Sequence, residues 1–249
     1  MKIIVCINHV PDTETKIKIA SDGVSIDRGG VNYMLSPYDE IAVEEALRIR
    51  EKFGGDITAI SLGSEAHKET LRKALAMGVD KAVLLKDEPS RDSFAVAFGL
   101  AEEIKGLHPD VVLCGKQSID FDSAQVGTMI AELLDLPSVP VVVKLEIQAD
   151  RSVVCEREIE GGHEIVHTKL PAVFTAQKGL NDPRYPSLKG IMSAKNKPIE
   201  EKSPARTSLR VETAALRKPP AKNPGRIIGT DASAVGELVR LLHEEAKII

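Results

Sequence analysis

Residues 36–62 read SPYDEIAVEEALRIREKFGGDITAISL, and their pattern points to one fold class. Ser36-Pro37 with Asp39 three residues after Ser36 is a helix-opening pattern: a capping hydroxyl, a proline in the first turn, and an acid where free N–H groups point. Ala42, Ala46, Ile49 and Phe53 then fall on one helical face, and Gly54-Gly55 stops the helix. Directly afterwards Ile57–Leu62 is a short apolar run, too short for a second helix and suited to a buried strand. A helix feeding a buried strand is the repeating unit of a parallel α/β sheet.

The same grammar extends outward on both sides. Ile3 to Ile7, Ala82 to Leu85, Val111 to Cys114 and Val139 to Val143 are further strand-like runs. Ser64 to Gly78, Asp92 to Lys105 and Ser123 to Leu134 repeat the amphipathic design, the first with Leu71, Ala74 and Leu75 inward. Strands alternating with crossover helices imply an α/β fold with a doubly wound, mostly parallel sheet of Rossmann-like type. With 3% aromatic residues and no Trp, the core must be aliphatic, as buried parallel sheets are.

Two regions break the alternation. Between Val10 and Asn32 the chain makes a hairpin-like excursion around Asp22-Gly23, at the carboxyl end of the first strand. After residue 140, Val141 to Gln148, Ser152 to Glu160 and His163 to Leu170 read as antiparallel strands turning at Ala149-Asp150 and Gly161-Gly162. Asn181–Met192, NDPRYPSLKGIM, reads as an ordered, exposed loop that offers Tyr185, Leu188, Ile191 and Met192 as apolar docking surface. Lys195 to Gly225 is rich in Pro, Lys and Ala and reads as an extended arm. A last helix, Ser233 to Ala246, carries Val235, Leu238, Val239 and Leu242 on one face. The chain therefore divides into an α/β domain, 1–194, and an arm with its helix, 195–249.

Composition narrows the function. A formal charge of −4 leaves no basic footprint for general nucleic-acid binding. Cys6, Cys114 and Cys155 sit in apolar runs without CxxC pairing, which points to buried thiols rather than disulfides or zinc. No apolar run approaches membrane-spanning length, and Met1-Lys2 leads straight into a strand, so the expected compartment is cytoplasmic with no membrane insertion. His163 and His167 share a strand face without a third ligand, Glu156, Glu158 and Glu160 mark a wet strand face, and Lys195, Lys197 and Lys202 read as solvated arm residues. No catalytic acid/base pair emerges.

Neither GxGxxG nor GxxxxGK[ST] is present. The loop GKQSIDFDSAQVG, from Gly115, instead runs into a helix start where free N–H groups and Ser123 make an anion site; an ordinary capped loop remains open at this point. The turn Ser36–Asp39 is a second such start, and the strand ends at Cys6-Ile7 and Leu62-Gly63 lie beside both. Convergence of four edges at one switch point favours a nucleotide pocket.

The strings VCINHVPDT, SPYDEIAVEEALRIREK, TLRKALAMGVDKA, GKQSIDFDSAQVG, EREIEGGHEIVHTKLPAVFTA and NDPRYPSLKGIMSAKNKP occur in order through most of the chain. Together they resemble the β subunit of electron transfer flavoproteins. The resemblance implies an adenine-nucleotide-binding type of α/β domain and a heterodimer whose α subunit holds most of an FAD, with the 195–249 arm packed on that subunit. It implies an electron carrier rather than an enzyme, served by acyl-CoA or other dehydrogenases and by a downstream quinone oxidoreductase. By motif, AMP would be bound by Cys6, by Ser36, Pro37, Tyr38 and Asp39, and by Leu62. The rest of that pocket would be Gly115, Lys116, Gln117, Ser118, Ile119 and Asp120, continuing through Phe121, Asp122, Ser123, Ala124, Gln125 and Val126. Thr13 would lie toward the flavin, and Leu188 would anchor in a dehydrogenase. VPDT and AQVG also resemble the branch that binds a second FAD, uses NADH and bifurcates electrons, so a second FAD stands as the alternative to AMP. A flavin-free, stress-type nucleotide-binding domain is the third reading.

Overall fold

The computed structural model describes residues 1–87, 91–221 and 224–249. The first strand, β1 (Lys2–Cys6), is followed by the short pair β2 (His9–Pro11) and β3 (Tyr33–Leu35). Helix α1 (Pro37–Phe53) then leads to β4 (Asp56–Gly63), α2 (His67–Met77) to β5 (Lys81–Lys86), and α3 (Ser93–Leu107) to β6 (Val111–Gly115). Helix α4 (Val126–Leu133) precedes β7 (Ser138–Ile147), β8 (Ser152–Ile159), β9 (Gly162–Lys169) and β10 (Ala172–Ala176). The chain continues through α5 (Leu188–Asn196), β11 (Ile199–Lys202) and α6 (Val235–Glu244).

Among the described residues, nine strands form one sheet in the order β11-β5-β4-β1-β6-β10-β7-β8-β9, parallel except for the β7-β8-β9 meander. The alternation of side chains across β1 divides the core. Ile3, Val5 and Ile7 pack with α1 and α2 on one face, while Ile4 and Cys6 pack with α3 and α4 on the other. Fully buried parallel strands must be apolar on both faces, which is why the strand-like runs carry almost no polar residues. By packing, Met1–Ala214 and Ala215–Ile249 are separate compact units. Within the second unit, α6 buries none of its residues and leaves Val235, Leu238 and Val239 exposed. Among the described residues, no helix is long and apolar enough to cross a membrane.

Three segments depart from the sequence expectation. The AVFTA of β10 follows the three antiparallel strands in sequence but does not continue their meander: it lies between β6 and β7, parallel to both, with all five residues buried. Ile199–Lys202, read as arm, is an edge strand parallel to β5. Its charged sequence IEEK suits an edge, where Glu201 pairs with Lys68 and Lys86. Of the lysines read as solvated, Lys197 donates to the Val79 carbonyl at 2.7 Å and Lys202 pairs with Glu103 at 2.7 Å. Finally, the exposed loop ends at Ser187, whose hydroxyl accepts from Gly190 N–H and caps α5.

The excursion between β2 and β3 turns at Asp22-Gly23 as expected, with Asp22 accepting from the N–H groups of Val24 and Ser25. Its base is pinned to α2: the His9 ring stacks on Tyr33 at 4.6 Å, and His9 Nδ1 lies 2.6 Å from Thr70 Oγ1. His67 sits 5.1 Å from His9, and burial, with His9 and Arg28 adding to it, pushes it down to about 4. Below pH 6.5 the unfolded chain therefore takes up a proton at this position that the folded chain accepts only near pH 4. Stability is expected to fall as pH is lowered through that window. Urea midpoints measured from pH 7 to pH 4 should drop more steeply for wild type than for His67→Gln; parallel curves would refute the role of His67.

Candidate nucleotide site and docking surface

From β1 the chain builds outward to β4 and β5 on one side, then returns to β6 on the other. The sheet order therefore reverses between β1 and β6, and the crevice beyond their carboxyl ends is where such sheets bind ligands. Asn8 follows β1 directly, and its Nδ2 donates to Ser118 Oγ at 2.8 Å and to Asp120 Oδ2 at 3.2 Å. This stitches the end of β1 to the loop after β6. Asn8 was not singled out in the sequence; its place immediately after an apolar strand at the switch point is the signal that identifies it.

Asp39 performs the more demanding connection. Its Oδ2 accepts from Asn8 N–H and its Oδ1 from Gly115 N–H, each at 2.8 Å, so one carboxylate holds the ends of both strands to the first turn of α1. Gly115 has to be a glycine here, because a Cβ would lie 2.5 Å from Asp39 Oδ1 and 2.7 Å from Tyr38 Cβ. Burial, opposed by the two N–H donors and reinforced by Asp120, pushes the Asp39 carboxyl up to about 7. The expected helix-capping pair is thus replaced by a tertiary link. Ser36 makes no cap hydrogen bond; its buried hydroxyl has no partner among the described residues, and neither has that of Ser61 on β4. A buried hydroxyl with no partner is costly, and a bound polar ligand would relieve it.

The loop from Gly115 to Gln125 forms the crevice rim. Lys116 places its ammonium 5.2 Å from the centre of the Tyr38 ring, Gln117 donates to Asp122 at 2.8 Å, and Ser118 hydrogen-bonds Asp120. Ile119, Asp120 and Phe121 make a turn that leaves Phe121 77% exposed. Asp122 and Ala124 adopt left-handed backbone at φ 50° and 51°, which postpones the helix. Consequently α4 begins at Val126, with Gln125 at its cap, and Ser123 lies ahead of the helix rather than capping it. The free N–H groups of the first turn face no acidic residue within that turn, so they remain suited to an anion. Cys6, Cys114 and Leu62 lie beneath the rim on the α3/α4 side of the sheet. Thr13 is exposed on the excursion instead. Among the described residues, no group of three or more His, Cys, Asp or Glu side chains is arranged to hold a metal.

On the opposite side of α1, the Asn181 side chain donates to the Ile41 carbonyl and to Glu45, fixing the start of the exposed loop. Tyr185 is 96% exposed, Leu188 83% and Met192 70%, with Ile191 partly exposed. Large apolar side chains standing out from an anchored segment form a patch that folding of this chain does not bury. The patch depends on a close approach of α5 to α2: a Cβ on Gly190 would lie 2.3 Å from the Ala76 carbonyl oxygen.

Replacing Asp39 by Asn would set an amide donor against one of the two backbone N–H groups. Asp39→Asn is expected to destabilise the protein by about 1–3 kcal/mol, the cost of one unsatisfied buried donor. Denaturant titration measures this, and an unchanged midpoint would refute the link.

The profile of the family described as "Electron transfer flavoprotein domain" matches residues 23–207. An "Electron transfer flavoprotein subunit beta" of Bacillus subtilis is 42% identical over the whole of both chains. One from Syntrophomonas wolfei is 41% identical over 90% of this chain and 88% of its own, and the mitochondrial protein of Oryza sativa is 35% identical over the whole of both. A parallel sheet with a rimmed switch-point crevice, matched along its length at these identities, places the chain in the electron transfer flavoprotein family, among its beta subunits.

Proposed function

We propose that the chain is the smaller half of a heterodimeric electron carrier that accepts electrons from acyl-CoA or other dehydrogenases and passes them to a quinone oxidoreductase in the cytoplasm. The FAD would be held mostly by the α subunit, with Thr13 on the exposed excursion turned toward it, and when bound it supplies the one- and two-electron chemistry. This chain's residues bind, orient and shield rather than make or break bonds.

The switch-point crevice suits AMP. The first-turn N–H groups of α4, with Lys116 nearby, would take the phosphate. Asp120 and Asp122 suit ribose hydroxyls, which donate to carboxylates. The observation that carries this assignment is the buried Ser36 hydroxyl at the start of α1, three residues before Asp39, which has no hydrogen-bond partner among the described residues and would gain one from a polar ligand. A second FAD in the same crevice, with use of NADH, is the other reading, favoured by the VPDT and AQVG strings. Denaturing the purified two-chain protein and identifying the released nucleotides separates them. One FAD with one AMP is expected; two FADs would establish the bifurcating reading, and FAD alone would refute the crevice assignment.

Docking on dehydrogenases falls to the Leu188 patch. Burying one leucine is worth roughly 1.5–3 kcal/mol, and about 1.4 kcal/mol corresponds to tenfold. Leu188→Ala is therefore expected to weaken docking roughly ten- to a hundredfold with flavin content unchanged. Unaltered transfer kinetics would sink the role. The apolar face of α6 is assigned to the α subunit. Removing residues 215–249 is expected to abolish co-elution of the two chains, and co-elution at full yield would refute it.

A further inference from the structure

An apolar anchor contributes to binding only to the extent that its backbone is already fixed, since ordering a loop on contact offsets the area it buries. Leu188 is framed by two attachments. Downstream, α5 is seated on α2 through buried Ala194, whose carbonyl accepts from Arg72 at 2.6 Å. Upstream, separated from Leu188 only by Tyr185, Pro186 and Ser187, stands Arg184.

Its guanidinium makes four hydrogen bonds to two carboxylates. Nε donates to Glu44 Oε2 at 2.8 Å and Nη2 to Glu44 Oε1 at 3.0 Å, a two-point fork. Nη1 and Nη2 reach Glu51 at 2.6 and 3.2 Å, and the Arg184 backbone N–H adds a bond to Glu44 at 3.1 Å. Glu44 and Glu51 are two helical turns apart and so share one face of α1. Surface ion pairs ordinarily contribute little, but the Glu44 side chain is only 4% exposed, and without the Arg184 side chain this buried carboxylate would keep, among the described residues, the bonds from Arg48 and from the backbone N–H of residue 184. Burial would raise the Glu44 carboxyl, and the Arg184 hydrogen bonds overcome it and hold it below its ordinary value. A lysine keeps the charge but cannot fork to both acids.

We propose that Arg184 is a positioning residue for partner docking: by fastening the chain ahead of Leu188 to Glu44 and Glu51, it preorganises the leucine for the dehydrogenase. This rests on the reading that the Leu188 patch docks there. The test uses the complete two-chain flavoprotein with an acyl-CoA dehydrogenase, comparing wild type, Leu188→Ala, Arg184→Ala, Arg184→Lys and the Leu188→Ala/Arg184→Ala double variant. The readouts are KM for the flavoprotein, kcat, flavin content, and reduction of the flavin by dithionite. Arg184→Ala is expected to raise KM roughly three- to tenfold, the scale of ordering one or two side chains, with the other readouts unchanged. Arg184→Lys should recover part of the loss, and the double variant should be little worse than Leu188→Ala, because an anchor that is absent no longer benefits from positioning. Glu51→Gln, which leaves buried Glu44 paired, should raise KM by a smaller factor and serves if Arg184→Ala folds poorly. Wild-type KM in both Arg184→Ala and Glu51→Gln, with KM raised in Leu188→Ala, would overturn the positioning role and leave the docking reading standing. Wild-type KM in Leu188→Ala would overturn both.

Discussion

The rest of the crevice depends on one buried carboxylate. Asp39 accepts from the backbone N–H groups of Asn8 and Gly115, fastening the ends of β1 and β6 to the start of α1 at the position where the sheet reverses its order. Backbone N–H groups just beyond parallel strands have left the ladder and lack partners there, so a crevice at this position needs some acceptor. Supplying it from a helix's first turn means that the strand separation, the direction of α1 and the path of the Gly115–Gln125 loop are set together. The same carboxylate is costly to bury, which its raised pKa reflects, and Gly115 removes the Cβ that would otherwise block it.

Helix α1 therefore has two tasks on one rigid body. Its first turn shapes the crevice, and the face bearing Glu44, Glu45 and Glu51 holds the segment from Asn181 to Arg184 that leads to the exposed leucine. A single helix holding both the crevice rim and the segment ahead of the exposed leucine explains why two buried glutamates are tolerated: each carboxylate is a fastener for chain more than a hundred residues away. Glu44 is buried with hydrogen bonds from Arg48 and Arg184, and Glu45 with one from Asn181, so the segment from Asn181 to Arg184 supplies partners to both.

The helices and the parallel strands were legible because their information is local. Apolar spacing, the Gly54 stop and the Asp92 cap specify α1 and α3 from a few neighbouring residues. Where the local pattern misleads, a distant partner or a left-handed backbone position decides. Ser36 and Asp39 have the spacing of a cap, yet Asp39 turns to strand ends whose proximity no local pattern encodes. Ser123 looks like a helix start, but the left-handed residues Asp122 and Ala124 delay α4 to Val126. AVFTA resembles any buried strand, and only the sheet reveals that it lies between β6 and β7. IEEK is too short and too charged to be read as a strand until β5 offers it an edge.

The alternation of strands and helices, the aliphatic core, the segments that border the crevice and the apolar residues of the loop can all be read from the chain, because periodicity and turn chemistry act over a few residues. Which groups meet is settled by folding: Asn8 with Ser118 and Asp120, Asp39 with Gly115, Arg184 with Glu44 and Glu51. These are hydrogen bonds between groups far apart in the chain. Their geometry exists only after hydrophobic burial has ordered the strands and seated the helices, and it is these bonds, rather than the local pattern, that aim the crevice and the leucine.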